Sequence, residues 1–177
     1  MKKLLVLFLL LAFTSFAMSA DFALDAGAKK IDGTIYFRAR GGDLYDDTSI
    51  AIAPSFGFFL TKGLVVNLNF EFATTSSGGT SYDSIFFGGG LDYYIGAEKG
   101  KQFVPFIGAK ALYGSDTAST SYFNIILNAG GAIFLNDHVS LDVVAEFYLV
   151  NATPDGSSTS VSGNIFQIGL GISAYLF

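Results

Sequence analysis

Three observations predict an all-β chain, a transmembrane up-and-down antiparallel β-barrel of about eight strands. Apolar and polar residues alternate with strict period two over long stretches. Of 177 residues, 51% are hydrophobic and only 14% are charged, against roughly 25% charged in soluble domains. Past the first residues, no run approaches the roughly eighteen apolar residues of a helical membrane span. An apolar chain without such spans has one other way into lipid. That way is a closed barrel, in which every backbone N–H and C=O pairs with a neighbouring strand.

The elements follow in chain order. Met1-Lys2-Lys3 is a positive n-region, residues 4–13 are apolar, and residues 14–20 are small or polar. This is the layout of a secretory signal peptide, too short to span a bilayer, with cleavage expected after Ser19 or Ala20. Residues 21–177 remain as a single outer-membrane barrel domain. Strands are expected over 29–40, 48–60, 64–74, 82–95, 102–113, 121–135, 139–150 and 161–177. The third carries Val66, Leu68, Phe70 and Phe72 on one face and Asn67, Asn69 and Glu71 on the other. In the seventh, Val139, Leu141, Val143, Ala145 and Phe147 oppose Ser140, Asp142, Val144, Glu146 and Tyr148. Helical spacing would scatter both faces.

Connection lengths orient the barrel. Thr61-Lys62-Gly63, residues 96–101 and Asn136-Asp137-His138 are short; residues 41–47, 75–81, 114–120 and 151–160 are longer and rich in Gly, Ser, Thr and Asp. Short turns at one end and long loops at the other imply periplasmic turns and extracellular loops, with both chain ends periplasmic. In this orientation Tyr82, Tyr113, Tyr122 and Tyr148 fall near the outer rim. Tyr93, Tyr94, Phe103, Phe134, Tyr175 and Phe177 fall near the inner one, as two interfacial girdles would.

The chain resembles small bacterial outer-membrane β-barrels of the OmpA-transmembrane-domain and OmpX type, known from Gram-negative envelopes. The resemblance covers the mature chain and is most specific at its end, Gly169-Leu170-Gly171-Ile172-Ser173-Ala174-Tyr175-Leu176-Phe177. The aromatic-x-Phe ending, matched by Tyr175 and Phe177, implies engagement with the barrel-assembly machinery. One departure stands out: residues spaced by two from Phe177 are Ser173, Gly171 and Gly169, where the family places apolar lipid-facing side chains. Either Tyr175 and Phe177 lie in the lumen register, or a bulge shifts the register near the terminus.

Other chemistry is thin. With no cysteine and one histidine, a zinc site of the usual kind cannot be assembled, and no cofactor is expected. His138 sits in a predicted periplasmic turn, away from any shaped pocket, so the chain reads as non-enzymatic. Two rival classes are an outer-membrane lipid-modifying enzyme and a soluble lipocalin-like barrel with apolar residues inside. Gly169-x-Gly171-x-x-Ala174 mimics a dinucleotide fingerprint but has no helix after it. Gly88-Gly89-Gly90 reads as room for bulky lumen neighbours or a bend. The formal net charge of −5 falls further once Lys2 and Lys3 are removed, which argues against nucleic-acid partners.

Eight strands leave an interior that side chains fill. Arg38, Glu71, Lys110 and Glu146 share the parity opposite the apolar face at middle heights. They are expected to point inward as a charge cluster, with Asn128 as a further partner. Asp43, Asp46, Asp47, Asp116 and Asp155 make the loop side acidic, with Arg40 near the rim, and are read as solvated. The partners expected are outer-membrane lipid, lipopolysaccharide, the assembly machinery and an unspecified loop ligand.

Overall fold

The computed structural model describes residues 22–40, 47–77 and 79–177, without the side chains of 38–40, 47–48 and 77. The expected signal peptide and its cleavage site lie outside these residues. The strands are β1 (Lys29–Arg40), β2 (Asp47–Thr61), β3 (Leu64–Ser77), β4 (Thr80–Tyr94), β5 (Phe103–Asp116), β6 (Thr120–Asn136), β7 (Val139–Pro154) and β8 (Val161–Leu176). Each pairs antiparallel with the next, and β8 pairs with β1 to close an eight-stranded up-and-down barrel. The closing seam runs from Lys29↔Leu176 to Tyr36↔Gly169, the shortest ladder among the described pairings.

The period-two pattern puts apolar side chains outside. On β8, Phe166 and Leu170 are 65% and 66% exposed, whereas Gln167 and Tyr175 on the opposite face are 3% and 1% exposed. That is the reverse of a soluble ligand-binding barrel and the arrangement of a lipid-facing exterior. Lumen-facing glycines make the interior fillable. A Cβ at Gly169 would run into the Tyr36 ring, and one at Gly171 into Thr34. Within the Gly88–Gly90 run, a Cβ at Gly90 would lie 2.5 Å from that of Lys110, so the run makes room for a neighbour.

Two expectations need correction, and one open alternative is decided. First, the polar segments at the loop end are mostly strand. β3 and β4 leave only residues 78–79 between them, and β7 runs on to Pro154. Ser and Thr continue the ladder there with side-chain pairs: Thr74 Oγ1 donates to Asp83 (2.8 Å), and Ser76 meets Ser81 (3.0 Å). The longest described connection, residues 95–102, lies at the turn end. Connection length is therefore a poor guide to orientation here.

Second, parity divides the supposed girdles. Tyr93, Phe103 and Tyr113 face outward, but Tyr94, Phe134, Tyr148 and Tyr175 are buried in the lumen. Third, the terminal register is resolved without a bulge. β8 pairs continuously with β1 and β7, so Tyr175 is lumen-facing. Phe177 leaves the barrel wall and stacks on His138, ring centroids 4.6 Å apart and planes at 16°.

Candidate functional site: the barrel lumen

The lumen is built in layers from the turn end upward. Its floor is apolar. Residues 22–28 run beneath the barrel, held by Gly27 N–H to the Phe59 carbonyl (2.9 Å) and Gly63 N–H to the Leu24 carbonyl (2.8 Å). Leu24 is fully buried, and Phe22 packs on Phe134. Around them, Phe59, Tyr94, Phe106, Phe134 and Tyr175 are linked by ring contacts of 5.2–6.4 Å. No period-two pattern in Phe22-Ala23-Leu24 announces this role.

Above the floor lies a ring of charge. Lys30 pairs with Asp32 at 3.0 Å, and its Nζ stands 5.6 Å over the Tyr94 ring. Ser55 donates to Asp32 (2.6 Å). Asp142 accepts from Ser140 (2.7 Å) and from Ser173. Asp92 is held by two amides, Asn67 Nδ2 at 2.6 Å and Asn128 Nδ2 at 2.8 Å. Its carboxylate occupies the space where Gly108 would carry a Cβ. A cavity of about 50 Å³ is left between Asp92, Lys30 and Lys110, room for a few waters.

The next layer contains the residues expected from sequence. Lys110 Nζ meets Glu146 Oε1 at 2.6 Å, with side chains 14% and 1% exposed. Glu146 Oε1 also accepts from the Tyr36 hydroxyl (2.8 Å), and Oε2 from Gln167 Nε2 (2.7 Å). The Tyr148 hydroxyl lies 2.9 Å from both Glu71 Oε2 and Glu146 Oε2, and accepts from Gln167 Nε2 (2.7 Å). Its single proton is thus shared between two carboxylates. Glu71, Lys110 and Glu146 are brought together through Tyr148. Asn128 is not part of this group, since it serves Asp92. The side chain of Arg38 lies outside the described residues.

Sequence reasoning passed over Lys30, Asp32, Asp92 and Asp142, as well as the bridging Tyr36, Tyr148 and Gln167. All seven carry the lumen parity, so the signal was present. Among the described lumen residues, Asp32, Glu71, Asp92, Asp142 and Glu146 outnumber Lys30 and Lys110.

Above Glu71 and Tyr148 the lumen widens into a vestibule of about 190 Å³ at the loop end. Of the acidic loop residues, Asp116 is engaged rather than free in solvent. It accepts from the Tyr122 hydroxyl (2.7 Å) and from the amides of Ala118 (2.9 Å) and Thr120 (3.0 Å), capping the β5–β6 turn. Asp43, Asp46 and the side chains of Arg40 and Asp47 lie outside the described residues.

No family model matches the chain, and no curated protein does. Solved structures do. Neisserial surface protein A superposes with a TM-score of 0.63 at 13% identity, over 83% of this chain and 95% of that one. The outer-membrane protein OprG from Pseudomonas aeruginosa gives 0.61 at 12% identity, over 86% and 97%. The N-terminal β-barrel domain of P. aeruginosa OprF gives 0.58 at 12% identity, over 85% and 98%. At these identities the likeness is one of fold: this chain folds as small outer-membrane β-barrels do.

Proposed function

We propose that this protein is a bacterial outer-membrane barrel that does not conduct, and that acts through its loop end and as a structural part of the envelope. The observation that carries this reading is the double closure of the lumen. The apolar floor under Leu24 and Phe59 shuts the turn end, and the Lys110–Glu146–Tyr148 layer shuts the middle. An outer-membrane location is supported by the belt of exposed apolar side chains and by the fold likeness. The partners proposed are lipid, lipopolysaccharide and a loop ligand. His138 supports a structural assignment over a catalytic one, because its ring is stacked on Phe177 and its Nδ1 lies 3.2 Å from the Tyr175 carbonyl.

Reconstitution into a planar bilayer tests the reading. We expect a silent baseline across a voltage ramp, and sustained ohmic steps would overturn it. A second measurement addresses assembly. In cells the protein should fractionate with the outer membrane and migrate differently on gels before and after boiling. Deleting Phe177 should lower the assembled fraction several-fold, whereas a comparable change within residues 155–160 should not. Equal assembly of the two variants would reduce Phe177 to a packing contact with His138.

A further inference from the structure

The vestibule is unlike the rest of the lumen. In the layers between it and the apolar floor the inward side chains are mainly polar and mutually bonded. Its own walls are half apolar: Phe86, Tyr122, Tyr148, Val150 and Ile165 line it, backed by the buried Leu112 and Ile126. Phe86 and Tyr122 meet edge to face at 5.8 Å. Tyr82 stands exposed at the rim. An apolar wall that lines a water-accessible cup marks a binding surface more often than chance exposure.

The charged groups among the described lining residues are both carboxylates. Glu71 forms the floor, and Asp116 stands on the wall with its Oδ2 bonded to the Tyr122 hydroxyl alone among the described residues. Asn124 is 4% exposed and lines the same space with its Oδ1 unpartnered. A buried acceptor left empty is costly unless something supplies a donor. No lysine or arginine is among the described lining residues. The Asp116 carboxylate, an orphan carbonyl and aromatic rings together describe the preferences of a cation that also carries hydrogen-bond donors and an apolar body.

We propose that the vestibule is a binding site for small amphipathic ammonium ions, each an apolar or aromatic body bearing one protonated amine. The body lies against Phe86, Tyr122 and Ile165. The ammonium group donates to Asn124 Oδ1 and Asp116 Oδ2. The closed layer beneath makes the cup blind, so ligand enters and leaves from the loop end only.

Three molecules of similar shape and different charge test this: phenethylammonium, 3-phenylpropionate and 2-phenylethanol. Each is titrated into the protein in lipid nanodiscs while backbone amide resonances are followed. Phenethylammonium should give saturable shifts at Ala73, Ser84 and Asn124, and the anion should bind at least about tenfold more weakly, the size of one desolvated charge contact. Asp116→Asn keeps the acceptor that caps the turn and removes only the charge, and Asn124→Leu removes the orphan carbonyl. Each should weaken phenethylammonium about tenfold while heat-modifiable folding persists. Equal affinity for the anion would overturn the proposal. So would binding unchanged in both variants, or shifts confined to lipid-facing positions, which would mark partition into the bilayer.

Discussion

Replacing Lys110 with alanine is expected to lower the unfolding free energy by about 3–5 kcal/mol, the usual cost of stranding one member of a buried ion pair. Glu146 has almost no access to solvent, and among the described side chains it is paired with Lys110 Nζ at 2.6 Å. Without that lysine, Tyr36, Tyr148 and Gln167 still donate to it, but the described ion pair is lost. Urea unfolding in lipid vesicles measures the loss. The double variant Lys110→Met with Glu146→Gln removes both charges together and should recover most of it, since a neutral pair of similar volume carries little desolvation penalty. Additive losses, each small, would show that trapped water solvates these groups and that the pair contributes little.

The second large effect is steric. Gly169→Leu should be severely destabilising, because Tyr36 already occupies the space above that glycine. Overpacking of this kind costs about 1–3 kcal/mol where neighbours can yield. Here the Tyr36 ring is 2% exposed and tethered to Glu146 through its hydroxyl. Tyr36→Ala alone should cost about 3–5 kcal/mol through the cavity it leaves. The double variant refills that cavity with the leucine side chain and should be more stable than the sum of the two single losses implies. Strict additivity in the same unfolding assay would mean that the two positions do not share one space.

Much of the barrel is legible because its main signal is local. Period-two alternation decides which face each residue takes, and that alone places Glu71, Lys110 and Glu146 in the lumen. What escaped was long-range. Lys30 and Asp142 sit near the turn end, where a charge would ordinarily reach water. They are buried at 5% and 6% exposure because residues 22–28 fold beneath them. Nothing in the pattern of that segment announces a cover. The loop-end hairpins run longer than their composition suggests for a related reason. Ser and Thr read as loop chemistry in sequence, yet paired across two strands they extend the ladder. Height along the strand points Tyr94 and Phe134 to an interface, whereas parity sends them inside.

The short seam between β1 and β8 sets how the molecule comes apart. Every other ladder joins neighbours in sequence and can zip from its own hairpin, whereas this one must bring the two ends of the described chain together. With few rungs, it is the line along which the cylinder unzips most readily. Its last rung, Tyr36↔Gly169, coincides with the tyrosine whose hydroxyl reaches Glu146 on β7. One hydrogen bond thus ties the first strand to the seventh across the bore, fastening from within a joint that the backbone closes only part of the way.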